Sequence, residues 1–205
     1  MIQISKEHVH GWEAATRGLR NPFNSWAKSD SSLNDDGVSL GENDLTLMKR
    51  LSSAGTDHSK FLRMITVTMD INAPLYWWKE FDTYKVGTVA NSTSTMHKIH
   101  EKEFEMSDFS HEHLIDEAVW ALYDITFVLN RYRDKYIETG EKDMWWQMIQ
   151  LLPSSYNQLR TVQVNYQVLQ HIYRSRKNHK LDEWREFCDW CLTLPYFKEI
   201  CAEVG

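Results

Sequence analysis

Apolar positions recur at spacings of three and four through several stretches of the chain. In "GENDLTLMKRLSSAG" the residues Leu45, Met48 and Leu51 share a helical face, Asn43 is placed to cap its start and Gly55 stands just past its end. The longest such signal is residues 110–140, where Leu114, Ile115, Val119, Leu122, Ile125, Leu129 and Tyr132 keep the spacing until Gly140. After a turn at Pro153–Ser155, the set Leu159, Val162, Tyr166, Leu169 and Tyr173 predicts a second long helix, and "LDEWREFCDWCLTL" a third, stopped by Pro195. By contrast, "LRMITVTMDI" (62–71) alternates around Ile65, Val67, Met69 and Ile71 and predicts a strand. Pro74 marks its end and starts a further helix through the Trp77–Tyr84 region, since proline is tolerated in a first turn. Residues 28–44, "KSDSSLNDDGVSLGEND", read as a solvated loop. Helices outnumber strands and no repeat is present, so the expected class is α+β, with long helices packed on a small mixed or antiparallel sheet.

Composition narrows the functions. With 205 residues, 42% of them hydrophobic, nine Trp, nine Tyr and eight Phe, the chain is expected to fold as one domain over 1–205. A net charge of −6 argues against a protein whose main work is neutralising nucleic-acid phosphates. No apolar run reaches the roughly 18 residues of a membrane span, and "MIQISKEHVHGWEAATRG" lacks signal-peptide architecture. The three cysteines all follow residue 187 and make no even disulfide framework, so a reducing, cytoplasmic setting is expected.

Several motifs could carry chemistry. The near pairs His8/His10, His97/His100 and His111/His113 lack a further ligand that spacing can place, so no metal is assigned. Cys188-Asp-Trp-Cys191 lies within a helical pattern, where buried cysteines act as small hydrophobes. No Gly-rich phosphate loop and no G-x-S-x-G occur, so a nucleotide would have to be held by side chains and helix ends. Asn165 and Arg176 lie eleven residues apart, about three helical turns, with His171 and Arg174 on the flanks; this face suits phosphate or a pyrimidine carbonyl. An ordinary solvated face is the competing reading. Residues 71–98, "INAPLYWWKEFDTYKVGTVANSTSTMHK", pair Trp77 and Trp78 with a run of Gly87, Thr88, Ala90, Ser92, Thr93, Ser94 and Thr95. Hydroxyls there can donate to phosphate oxygens, and the indoles either stack on a flat ring or pack in a core or interface.

Two segments together resemble the flavin-dependent thymidylate synthase family. "GTDHSKFLRMITVTMDINAP" is similar to its Gly-His element, strand and Ala-Pro, and "LYWWKEFDTYKVGTVANSTSTMHKI" occupies the place of its signature, Arg-His-Arg-x-x-Ser-x-Asn-x-x-Ser-x-Arg. "LLPSSYNQLRTVQVNYQVLQHIYRSRKNHKLDEWREF" is similar to its Leu-Pro turn and Asn-rich ligand helix, and "NPFNSW" is a weaker echo. Without gaps, the signature triplet becomes Thr83-Tyr84-Lys85, its serines Thr88 and Thr93, and its last arginine Thr95. A shift of one residue instead aligns Asn91 and Ser94 with the motif, and both registers remain open. The family's arginine two residues after the helix Asn is Gln167 here, and its later Asn is His171.

The resemblance implies a homotetramer of one thymidylate-synthase-like domain that binds FAD and dUMP. It implies reductive methylation of dUMP to dTMP, with NADPH and methylenetetrahydrofolate as co-substrates. Carried over, Arg176 is the catalytic group that polarises the uracil; His58, Lys85, Asn165 and His171 meet the cofactor; Glu80, Thr88, Thr93 and Ser94 meet the substrate. Lys79, Arg63, Lys98 and Arg174 are positioned to replace lost anion-binding arginines. The degraded triplet suggests the alternative, a catalytically silent nucleotide-binding or protein-interaction homologue.

Overall fold

The computed structural model describes residues 2–34 and 37–203. In chain order the elements are β1 (Gln3–His10), α1 (Trp12–Arg20), β2 (Ser32–Asn34), β3 (Gly37–Ser39), α2 (Glu42–Ser53), β4 (Thr66–Pro74), α3 (Leu75–Phe81), β5 (Thr88–Ser92), α4 (Asp116–Thr139), α5 (Lys142–Leu151), β6 (Asn157–Asn165), α6 (Tyr166–Arg176) and α7 (Asp182–Cys191). The protein is α+β. Its four-stranded sheet has the order β1-β4-β6-β5, and β2 pairs antiparallel with β3, Leu33 opposite Val38. The two central strands are antiparallel: the Tyr166 amide donates to Ile65 O at one end, and the Leu75 amide to Tyr156 O at the other. Along β4, Val67, Met69, Ile71 and Ala73 are buried while Thr66, Thr68, Asp70 and Asn72 are partly open, the period-two pattern that the sequence shows.

The chain divides into two compact units. The first is built chiefly from Ile71–Thr83 and Asn91–Arg160. Here Trp77, Trp78 and Phe81 of α3 are fully buried and in mutual ring contact, so the tryptophan doublet is core. Trp78 Nε1 donates to Gln158 O at 2.9 Å, and the Arg160 guanidinium lies 4.2 Å from the centre of the Trp78 ring. A second cluster joins Leu122 and Leu129 of α4 to Met148 of α5. Gly140, in the left-handed region at φ 68°, closes α4 with a hydrogen bond from its N–H to Tyr136 O.

The second unit comprises Ile4–Asp70, Tyr84–Ala90 and Thr161–Gly205. Its core holds Trp12, Tyr166, Trp184, Phe187 and Phe197. Arg20 and Asp44 form a buried ion pair at 2.6 Å. Burial alone would raise the Asp44 pKa, but bonds from the Ser31 and Ser29 hydroxyls, the Arg20 guanidinium and the Asp30 amide hold it below the usual carboxylate value. Cys188, Cys191 and Cys201 are buried and free; burial, then the neighbouring Asp189 charge, pushes the Cys188 thiol up to about 12, as expected of packing groups.

Several boundaries differ from those the pattern predicts. Residues 157–165 are a strand, not the first turns of a helix. Leu159, Val162 and Tyr166 fit helical spacing, but Thr161, Val162 and Val164 favour a strand, and a central place in the sheet decides the outcome. The strand expected at 62–71 begins at Thr66, because Ser59–Arg63 form a 3-10 turn. The 110–140 helix starts at Asp116, and Gly41 rather than Asn43 stands at the N-cap of α2. Within the 28–44 loop, Ser29, Asp30 and Ser31 donate to Asp44, and a hairpin follows them; residues 35 and 36 lie outside the described residues.

Candidate functional site

In the second unit, one short segment runs along α6 from its last turn to its first. Asn165 stands at the N-cap in extended backbone, where its Oδ1 accepts the Val168 amide at 3.0 Å. The amide nitrogen of the same side chain faces Gly87. A Cβ on Gly87 would lie 2.6 Å from Asn165 Nδ2, and φ there is +84°, so both contact and conformation require glycine. At the far end, Arg176 Nε donates to Tyr84 Oη at 2.9 Å. The guanidinium carbon lies 5.0 Å from the centre of the Trp184 ring and 5.8 Å from that of Tyr84. Tyr84 also meets the His171 ring edge-on, with centroids 5.7 Å apart.

This arrangement unites five of the sequence-derived candidates. Asn165, His171 and Arg176 lie on or at the ends of α6, and Lys85 and Thr88 belong to the segment between and beside its contacts, Tyr84 and Gly87. Lys85 and His171 are exposed, and among the described residues Lys85 has no ion pair. The Thr88 hydroxyl oxygen is buried and has no hydrogen-bond partner among the described residues. His58 is exposed at the start of the Ser59–Arg63 turn, whose members reach α6: Gln167 Nε2 donates to Ser59 Oγ at 3.1 Å, and Arg63 Nε donates to Gln167 Oε1. Arg63 thus sets a guanidinium on the residue where the resemblance expects an arginine.

The remaining candidates lie in the first unit. Glu80 is on α3, and its carbonyl accepts the Thr83 hydroxyl. The Thr93 amide and hydroxyl both donate to Leu159 O, and Ser94 Oγ accepts the amides of Met96 and His97. These two residues border a cavity of about 470 Å³ that also meets Lys98 and Lys102. Both lysines have carboxylate partners, Glu101 and Asp108 respectively. Among the described residues no group of three or more His, Cys, Asp or Glu is arranged to hold a metal; His8 and His10 are side by side on β1, their rings 6.1 Å apart. No helix of the described residues is long and apolar enough to cross a membrane.

Pattern reading missed Tyr84, Gly87 and Trp184. Tyr84 sits inside the degraded triplet and Gly87 among the small residues, so both were in view without a role. Trp184 lies on a different helix, and no local signal connects it to Arg176.

No family model matches the chain, and no curated protein matches it. Among solved structures the chain is similar to the flavin-dependent thymidylate synthase ThyX from Helicobacter pylori, complexed with FAD and dUMP: TM-score 0.72 and 19% identity over 98% of each chain. A second structure of Helicobacter pylori ThyX with FAD and dUMP gives TM-score 0.72 and 19% identity over 99% of this chain and 98% of that one. Over essentially its whole length, the chain has the fold of these enzymes.

Proposed function

We propose that the α6 face of the second unit binds FAD together with dUMP and that the protein is a divergent flavin-dependent thymidylate synthase. The observation that carries the proposal is the Thr88 hydroxyl, buried with no partner among the described residues, in a segment that packs on Asn165 at one end and Arg176 at the other. A buried donor left unpaired costs about 1–3 kcal/mol, and a ligand oxygen would remove that cost. The donor set agrees: an ammonium, a hydroxyl, an amide, an imidazole and a guanidinium suit a phosphorylated, carbonyl-bearing heterocycle.

In this reading Lys85 and Thr88 hold phosphate oxygens, Asn165 presents its amide nitrogen, and His171 flanks the ring. Arg176 polarises the pyrimidine carbonyl. Tyr84 and Trp184 fix its guanidinium from two sides, so the cation is oriented before the substrate arrives and loses little freedom in the transition state. Bound there, FAD would supply the hydride, with NADPH to reduce it and methylenetetrahydrofolate to give the carbon.

A second reading has one observation in its favour: Arg176 is already engaged by Tyr84 and Trp184 within the chain, as in a homologue that binds nucleotide without turning it over. Growth of a thymidine-requiring host separates the two. The active reading expects rescue by the wild-type chain and loss of rescue by Arg176→Ala, with flavin absorbance retained on the wild-type protein. Flavin binding without rescue supports the silent reading, and a purified protein that FAD does not tint overturns both.

A further inference from the structure

In the second unit, a cavity of about 500 Å³ is lined by the end of α1, the loop that follows it and one face of α2. The end of α1 supplies Leu19 and Arg20, the loop supplies Phe23 and Lys28, and α2 supplies Leu47 and Arg50, one turn apart. A concave space of this size falls within the range of small-ligand pockets, about 300–1,000 Å³. None of these residues belongs to the α6 face.

The charge of the cavity is one-sided. Arg20, Lys28 and Arg50 line it, and among the described residues no carboxylate does, although the chain as a whole carries a net charge of −6. Arg20 is buried and its charge is met by Asp44. Lys28 and Arg50 are exposed, and neither has an ion pair among the described residues. Asp30 does not neutralise them: its carboxylate accepts the Asn43 and Asp44 amides at the start of α2. Two positive charges are thus left for a ligand.

Arg20 also fixes the loop. Its Nη1 donates to Ser25 O at 3.3 Å, and the Ser25 amide donates to Arg20 O at 3.2 Å. Between them Asn24 adopts φ 48°, a left-handed conformation that asparagine tolerates better than most side chains. The turn so held leaves Phe23 83% exposed while it lines the cavity. An apolar ring held in water beside two unpaired cations suits a molecule that is flat and apolar at one end and anionic at the other. We propose that this cavity binds such a molecule, an aromatic ring carrying a phosphate or a carboxylate. Phe23, Leu19 and Leu47 meet the ring, and Lys28 and Arg50 meet the anionic group. A nucleic acid is disfavoured, because two cations on a chain of net charge −6 neutralise too few phosphates.

Fluorescence titration of the full chain with anilinonaphthalene sulfonate, a ring system with one anionic group, tests the proposal. Saturable binding of one molecule per chain is expected, about tenfold tighter than that of uncharged phenylnaphthylamine. Lys28→Glu/Arg50→Glu should weaken the sulfonate by about tenfold or more and leave the uncharged compound within about twofold. Lys28→Gln/Arg50→Gln, which removes the charges without reversing them, should act in the same direction, and unchanged circular dichroism in both variants would show that the fold is intact. Phe23→Ala should weaken both compounds. Thr88→Val, which alters only the α6 face, should leave the sulfonate's affinity unchanged, so the outcome does not depend on the proposed flavin site. Displacement of the sulfonate by phenyl phosphate, by benzoate or by both supports the proposal and identifies the anion that the cavity takes. Displacement by neither, equal affinity for the charged and uncharged compounds, undiminished binding in the charge variants, or loss of binding in Thr88→Val would each overturn it.

Discussion

Thr88 and Ser94 lie six residues apart in the same run of small and hydroxyl residues, yet their hydroxyls have opposite fates. In the second unit the Thr88 oxygen is buried with no partner among the described residues, next to the glycine packed on Asn165. In the first unit Ser94 Oγ accepts the amides of Met96 and His97, and Thr93 spends its hydroxyl on Leu159 O. The latter pair does the ordinary work of hydroxyls in turns, satisfying backbone groups that would otherwise be exposed. A count of hydroxyls therefore does not locate a site. What marks the 84–88 segment is an unmet donor beside cations and aromatic faces.

Three substitutions bear on this contrast, and the largest effect belongs to Gly87→Val. A β-branched side chain at φ +84° would strain the backbone and strike Asn165, so a loss of about 2–4 kcal/mol in urea unfolding is expected, with flavin binding lost as well. A variant as stable as the wild type would remove the close packing of this segment on α6 from the account. Ser94→Ala should cost about 1 kcal/mol by releasing two turn amides, and FAD affinity should stay within twofold of wild type. A large fall in affinity there would erase the distinction between the two halves of the run. Thr88→Val should leave the melting temperature unchanged or slightly higher, because it removes an unpaired buried hydroxyl while conserving shape. The same variant should weaken FAD about tenfold, a difference of about 1.4 kcal/mol. The smallest effect concerns the thiols: Cys188, Cys191 and Cys201, buried and with raised pKa values, should not react with a thiol reagent at pH 8 until the protein unfolds. Rapid labelling of the native protein would show that the core of the second unit does not shield them.

Much of the fold was legible because its signals are local. The alternation around Val67 and Met69, the spacing of Leu122 and Leu129, and Gly140 at a helix end report on residues that lie next to one another. Residues 157–165 were misread because Leu159, Val162 and Tyr166 fit a helical period by coincidence, and position in the sheet cannot be seen from one segment. β1 and α5 have weaker patterns, which do not predict an element. For the candidate site, Asn165, His171 and Arg176 were visible through helical spacing and resemblance. The partners that orient them, Tyr84, Gly87 and Trp184, come from contacts as far as 92 residues apart in sequence. Arg63 is suggested by sequence position alone, and in the structure its Nε donates to Gln167 Oε1.

Hydrogen–deuterium exchange on the purified protein with and without FAD tests the central claim most directly. FAD should slow exchange in residues 84–88 and 165–176 and leave residues 94–98 unchanged, and Thr88→Val should reduce that protection. Protection confined to other segments, or none at saturating FAD, would contradict the assignment of the ligand face to α6.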